Sequence, residues 1–199
     1  MKRYNVAIVG VGGQGLLTLG ALIGDACSLV GQDVSVAEVH GMAQRGGSVI
    51  VHVKLGEEPS PTIPLGSADH VIALEVLEAA RYATYAKKGA IISLNDFLWP
   101  PPLSTYPSKD AVIGALRERG FRLYLLDANG LSAKYTGSPI SANIAMLGFA
   151  LGVDPEFRGI ISVEAVEKAL STRFRGRAFE VNRQVLMAAY EEGLRVAGE

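Results

Sequence analysis

Three segments of this chain carry residue types that hold anions or move protons. The first is Gly10-Val11-Gly12-Gly13-Gln14-Gly15, which follows the apolar run from Tyr4 to Val9. Gly10, Gly12 and Gly15 have the spacing of a dinucleotide-binding turn, placed between a strand and a helix as that motif requires. Glycine permits the tight turn, lets backbone N–H groups approach a phosphate, and sets that phosphate at the positive end of the following helix. Glu38, at the end of the next strand, stands where such a fold keeps a ribose-binding carboxylate. The same six residues also read as a tight turn around an empty or differently used anion site. Gly13 and Gln14 are unusual for the dinucleotide motif and weigh on that side.

The second segment is Glu38-Val39-His40-Gly41-Met42-Ala43-Gln44-Arg45-Gly46-Gly47. Its glycines give freedom around one fixed charge, and the Arg45 guanidinium suits bidentate contact with a carboxylate or phosphate. Pairing of Arg45 with an internal acid such as Glu38 or Glu75 is the competing reading. His40 has the pKa range of an acid–base group. The sequence shows no triad partner for it, so a loop histidine satisfied by hydrogen bonds is the simpler reading. The third segment is Ser138-Pro139-Ile140-Ser141-Ala142-Asn143-Ile144-Ala145-Met146-Leu147-Gly148. Ile140, Ile144, Leu147 and Leu151 make an apolar helix face. Ser138, Ser141 and Asn143 can present polar atoms to a ligand or a neighbouring subunit, or simply cap and pack the helix.

The elements that must position these segments follow from periodicity. Tyr4–Val9 reads as a buried strand, Gly10–Gly15 as a turn, and Leu16 to Val30 as a helix with apolar residues at helical spacing, stopped at Gly31. Asp33–Val39 is a second strand, so the first unit predicts a parallel strand pair with a right-handed crossover. Val49, Val51 and Val53 alternate with Ile50, His52 and Lys54, as in a partly exposed strand. Glu57–Gly66, with three prolines, reads as a loop. A strand at His70–Leu74 leads to a helix from Val76 to Ala86, with Lys87-Lys88-Gly89 as its stop. Ala90–Leu94 is another buried strand. Trp99–Pro107 holds four prolines and reads as an irregular connection facing a partner. A helix at Asp110–Arg119, a strand at Arg122–Leu126 and helices over 139–151, 163–171 and 178–196 complete the chain. Ser138 and Pro139 read as the N-cap and first residue of the helix over 139–151. The alternation predicts a three-layer α/β/α fold with a mainly parallel, Rossmann-like sheet and extra C-terminal helices. Residues 1–199 form one domain in this reading.

Composition narrows the chemistry. The chain has 199 residues, 49% of them hydrophobic, with 19 Lys+Arg against 20 Asp+Glu. That balance gives no electrostatic footprint for nucleic acid. The single cysteine, Cys27, rules out a disulfide within the chain and a cluster ligated by this chain's cysteines, and its place in an apolar helical run reads as burial. No apolar stretch reaches the roughly 20 residues of a membrane span, so a cytoplasmic protein without membrane contact is expected. There is no His-x-x-x-His metal pair, no Gly-x-Ser-x-Gly elbow, and no Gly-Asp-Gly of the kind that marks thiamine diphosphate sites. His40, His52 and His70 lie far apart. The expectation is a chain with no metal and no catalytic set of its own.

GVGGQG, HGMAQRGG and SPISANIAMLG, in this order, resemble the gamma-type subunit or domain of the pyruvate and other 2-oxoacid:ferredoxin oxidoreductases. The wording HGMAQRGG is similar to the indolepyruvate branch, where this subunit is called beta. The resemblance runs from about Tyr4 to about Gly193. It implies an accessory subunit of an enzyme that decarboxylates a 2-oxoacid (an aryl pyruvate in that branch) on thiamine diphosphate, passes electrons through iron–sulfur clusters to ferredoxin, and gives the acyl group to coenzyme A. It places thiamine diphosphate, Mg2+ and the clusters on a large alpha subunit. Gly10, Gly12, Gly13, Gln14, Gly15, His40, Gly41, Gln44, Arg45, Gly46, Gly47, Ser141 and Asn143 are then candidates for the subunit interface or for holding part of coenzyme A. A stand-alone NAD(P)- or FAD-dependent dehydrogenase and a nucleotide-sensing module are the alternatives that GVGGQG alone would admit. Stoichiometry, and whether the isolated chain forms a homodimer, stay open.

Overall fold

The computed structural model describes residues 3–41, 46–56, 60–100 and 105–198. Six strands, β1 (Tyr4–Val11), β2 (Val34–His40), β3 (Ser48–Leu55), β4 (Ala68–Ala73), β5 (Ala86–Asn95) and β6 (Arg122–Leu126), form one sheet in the order β2-β3-β1-β4-β5-β6. β1, β4, β5 and β6 run parallel; β3 is antiparallel to both β1 and β2. The helices are α1 (Leu16–Leu29), α2 (Val76–Tyr82), α3 (Lys109–Glu118), α4 (Ala128–Thr136), α5 (Ala142–Val153), α6 (Pro155–Ile160), α7 (Val163–Arg173) and α8 (Gly176–Ala197). Strand side chains alternate between two cores. Val6, Ile8 and Ile72 join the core that holds α1 and α4–α8, whereas Ala7, Val9 and Ala73 join the one covered by α2 and α3. This is the expected three-layer α/β/α arrangement.

The first unit corrects an expectation. β2 does not pair with β1; β3 lies between them and runs the other way. The connection over His40–Gly47 is too short for a crossover, so the chain turns back and inserts β3 as an antiparallel strand. β3 is also buried on both faces rather than partly exposed. His52 and Lys54 are buried because the Ser60–Gly66 stretch folds over them. The Ile63 N–H donates to His52 Nδ1 at 3.3 Å, and Lys54 Nζ donates to the Thr62 carbonyl at 3.3 Å. Burial, with Lys54 beside it, pushes the His52 pKa down.

Three further boundaries differ. α2 ends at Tyr82 and continues as a 3-10 turn over Ala83–Tyr85, and Lys87-Lys88-Gly89 lies within β5. The pairing of β4 with β5 shifts register there, with Gly89 at φ +73°, so those residues form a bulge rather than a helix stop. Pro139–Ser141 is a separate 3-10 turn, α5 starts at Ala142, and the Ser138 side chain makes no capping bond. Short α4 and α6 were not anticipated; Ala128-Asn129-Gly130 has weak helix propensity, and its helix depends on the Asp127 carboxylate accepting from the Gly130 N–H at 2.8 Å.

All twelve residues of α5 are buried, because α8 closes over the side turned away from the sheet. The two helices meet at small residues. A Cβ on Gly193 would stand 2.6 Å from the Phe149 carbonyl oxygen and 2.8 Å from Gly152 Cα. Backbone cannot yield there, so Gly193→Ala is expected to destabilise the fold by about 1–3 kcal/mol. Gly114→Ala, in α3 with open space around it, is expected to stabilise by about 0.5–1 kcal/mol. Chemical denaturation of both variants checks the contrast.

Candidate functional site

α1 leaves β1 toward one face of the sheet and α2 leaves β4 toward the other, so the carboxyl ends of these neighbouring strands form a topological switch point, the place where open α/β sheets receive ligands. Gln14 spans it. Its Oε1 accepts from the Val11 N–H at 2.7 Å and its Nε2 donates to the Leu74 carbonyl at 3.0 Å. Asn95, at the end of β5, donates to the same carbonyl at 3.2 Å and to Asn129 Oδ1 at 3.1 Å, and accepts from the Ala128 N–H at 3.1 Å.

Over this seam opens a cavity of about 1100 Å³, at the upper end of ligand-pocket sizes. Gly13, Gln14 and Gly15 line one side, with Leu74 and Asn95. Phe97, Trp99, Tyr135 and Phe174 give aromatic walls. Ser141, Asn143 and the start of α8 complete it. The Trp99 wall is held by the buried Glu75 carboxylate, which accepts the Trp99 N–H at 3.0 Å and the Glu78 N–H at 2.8 Å.

The structure brings some of the sequence candidates together. Gly15 sits at φ +77° as the N-cap of α1, and its carbonyl accepts from Asn143 Nδ2 at 3.1 Å. A Cβ at Gly15 would fall 2.5 Å from that nitrogen; both the conformation and the approach require glycine. The two glycine segments also meet. The Gly12 N–H donates to the Gly47 carbonyl at 2.8 Å and the Gly46 N–H to the Gly12 carbonyl at 3.3 Å, extending the β1–β3 ladder past its Val11–Ser48 pair. Gly10 lies inside β1. Gly46 and Gly47 do not line the cavity. Gln44 and Arg45 lie outside the described residues.

Other candidates stay apart from this site. His40 and Gly41 are exposed at the end of edge strand β2, and His40 Nδ1 lies 3.3 Å from the Gly41 carbonyl. Glu38 lies on β2, two strands from β1, about 10 Å across the sheet at normal strand spacing. The slot that would put it beside a nucleotide ribose is filled by β3. Ile140, expected on the buried stripe of its helix, is 79% exposed at the cavity rim. Asn95, Trp99, Asn129, Arg177 and Asn182 were missed in sequence. Asn95 carried one usable signal, a polar residue ending a buried strand.

A Ser–His–Asp arrangement is present and is sealed. His70 Nδ1 lies 2.9 Å from Asp154 Oδ2, and His70 Nε2 lies 2.8 Å from Ser93 Oγ. His70 and Ser93 have no solvent exposure, so no substrate reaches the hydroxyl. The Tyr4 hydroxyl donates to the same carboxylate oxygen, and Asp154 Oδ1 caps α6 by accepting from the Glu156 and Phe157 N–H groups. The network fastens α6 to the sheet. Among the described residues no group of three or more His, Cys, Asp and Glu side chains is placed to hold a metal ion, and no helix is long and apolar enough to cross a membrane. Cys27 is buried in α1, and burial pushes its thiol up to about 12.

Comparison with known proteins adds the family context. The model of the pyruvate ferredoxin/flavodoxin oxidoreductase family matches residues 5–192. The chain is 38% identical to indolepyruvate oxidoreductase subunit IorB of Archaeoglobus fulgidus, covering 96% of each chain. It is 37% identical to the protein of the same name from Thermococcus kodakarensis, over 100% of this chain and 98% of that one. The crystal structure of the gamma subunit of a keto/oxoacid ferredoxin oxidoreductase from Geobacter sulfurreducens has the same fold, with a TM-score of 0.72 at 23% identity over 96% of this chain and 99% of that one.

Two outcomes follow from the geometry. Gln14→Ala removes both bonds across the seam, so the Val11 N–H loses its amide acceptor and the Leu74 carbonyl keeps only the Asn95 amide; this is expected to cost about 1–3 kcal/mol in denaturant unfolding. For Asp154, burial alone would raise the pKa, but the His70 and Tyr4 bonds and the Phe157 N–H outweigh it and hold the carboxyl down from 3.8 to about 2. A depressed carboxyl stabilises the fold above its unfolded value and loses that contribution as pH falls through the folded one. About 2 kcal/mol is therefore expected to disappear between about pH 4 and pH 2. Asp154→Asn is expected to start less stable and to lack this component when unfolding is followed across that window.

Proposed function

The chain belongs to the pyruvate ferredoxin/flavodoxin oxidoreductase family, and from that premise we propose that it is the accessory, gamma-type subunit of an indolepyruvate or aryl pyruvate:ferredoxin oxidoreductase. The complex would convert the 2-oxoacid and coenzyme A to acyl-CoA and carbon dioxide, with the electrons reducing ferredoxin. The observation that carries this reading is the near full-length similarity to two proteins named as indolepyruvate oxidoreductase subunits.

In this proposal a large alpha subunit holds thiamine diphosphate with Mg2+ and the iron–sulfur clusters. The donor set of this chain supports that division: its single cysteine is buried within α1 and cannot offer a cluster the several thiolates it needs. The role of this chain is to complete the partner's site from the carboxyl end of its sheet. The paired glycine segments, Gly10–Gly15 with Gly46–Gly47, meet where β1 and β3 pair. Backbone N–H groups there and the Arg45 guanidinium suit the phosphates of coenzyme A. Gln14, Gly15, Ser141 and Asn143 line the cavity at the carboxyl end of the sheet, and His40 and Gly41 face the partner from the exposed end of β2.

Tagged chain purified from native cells is expected to bring a large iron–sulfur subunit with it, and the complex to reduce ferredoxin or viologen when given an aryl pyruvate and coenzyme A. Purification of the chain alone, with no such activity, would refute the subunit reading. Arg45→Ala is expected to raise the KM for coenzyme A about tenfold. An unchanged KM and rate would remove Arg45 from the site and leave the subunit assignment standing.

A further inference from the structure

β2 is the outer strand of the sheet, and its far side carries no further strand among the described residues. An outer strand exposes a row of backbone N–H and C=O groups, which proteins ordinarily blunt with a short strand, a proline, a basic side chain or a bulge. The opposite edge follows that rule. β6 has five residues and opens with Arg122, whose Nε donates to the Gly89 carbonyl at 3.1 Å. β2 follows none of it. It runs for seven residues with no proline, lysine or arginine, and it pairs with β3 without a break in register. Val34, Val36 and Val39 give it the side chains that favour strands.

Exposed apolar side chains gather where this strand finishes. Val39 is 49% exposed, and Leu17, in the first turn of α1, is 57% exposed. A Cβ on Gly20 would meet Val36 Cγ1 at 3.3 Å, and one on Gly24 would meet Val36 Cγ2 at 3.5 Å, so this flank of α1 lies against β2. Leu17, three residues before Gly20, shares the flank. β3 is antiparallel to both β1 and β2, so α1 begins at the end of the sheet where β2 finishes. Leu17 and Val39 therefore border one stretch of the edge, on opposite faces of the sheet. Between them lie the acid and the imidazole of β2, Glu38 and His40. By strand alternation both stand on the α1 face with Val36.

We propose that β2 pairs antiparallel with β2 of a second copy of this chain, about a two-fold axis at Val39. Residues that bond outward alternate along an edge strand, and in an antiparallel pair they must meet one another. The axis therefore falls on a residue, which then faces its own copy. At Glu38 it would set two carboxylates face to face, and at Ala37 it would make them diagonal neighbours. At Val36 it would set Asp33 against Val39 and Glu38 against Val34. At Val39 the valine meets its copy, Ala37 meets Gly41, and Glu38 meets His40 once on each side of the axis. His40 Nδ1 lies beside its own Gly41 carbonyl, which leaves Nε2 to reach the carboxylate of the second copy. The two Leu17 side chains approach the same seam from α1. This goes beyond the subunit reading and concerns the chain by itself. One consequence rests on that reading: a large subunit that takes His40 and Gly41 displaces the second copy, so self-pairing closes the edge until the partner arrives.

Residues 37–41 of each copy pair in this register, a small contact, so sedimentation equilibrium of the full-length chain is expected to give a dimer with a Kd on the order of 10 μM. Glu38→Lys sets a lysine against His40, and His40→Asp sets an acid against Glu38. Each alters both pairs and should weaken the dimer at least about tenfold. The two changes together restore opposite charges and should return the Kd to within about threefold of the parent. Val39→Cys brings two Cα atoms to about 4.5–5.5 Å, within disulfide reach, and should give a cross-linked dimer on a non-reducing gel. Val36→Cys, roughly 20 Å from its copy in this register, should give none, and the native Cys27 is buried. A monomer at every concentration would overturn the proposal and leave the edge to a different chain. So would cross-linking through Val36→Cys but not Val39→Cys, or an unchanged Kd in both single charge variants. Co-purification of the large subunit does not depend on these outcomes, so the two readings fail separately.

Discussion

The Leu74 carbonyl oxygen is the point on which the upper end of the sheet depends. Its own N–H is taken by the Val9 carbonyl at 2.9 Å, but β4 ends there and no strand supplies donors for its oxygen. Two side-chain amides do so, Gln14 at 3.0 Å and Asn95 at 3.2 Å. Leaving a buried carbonyl unpaired costs about 1–3 kcal/mol, so both amides are held in one orientation. Through Gln14 the turn before α1 is fixed. Through Asn95 the end of β5 and, by way of the Ala128 N–H, the start of α4 are fixed. The floor of the cavity is therefore a hydrogen-bonded plate rather than a set of free loops.

The antiparallel insertion of β3 changes what the glycine turn can do. In a dinucleotide-binding sheet the strand beside β1 is parallel and brings a carboxylate to the ribose. Here that place is taken by β3, and the turn spends its own donors. The Val11 N–H goes to the Gln14 side chain, the Gly12 N–H to Gly47, and the Gln14 N–H to the Val11 carbonyl. What remains open toward the cavity is the first turn of α1. The insertion also joins two segments that are far apart in sequence into one ladder, so the second glycine segment starts from a rigid base.

Much of this was legible in the sequence because local rules governed it. Strand period, helix period and glycine stops located β1, α1, β2, β4, α3 and β6 within a residue or two, and the three-layer class followed from their alternation. Strand order was not legible, since nothing in Val49–Lys54 says which neighbour the strand will choose. The burial of His52 and Lys54 depended on Ser60–Gly66 folding across them, a tertiary event. The glycine turn and the Ser138–Gly148 segment were recognisable as candidates, but their meeting at Gly15 and Asn143 joins residues 128 positions apart. Asn95, Trp99 and Arg177 reach the cavity from three separate elements, each unremarkable in its own segment.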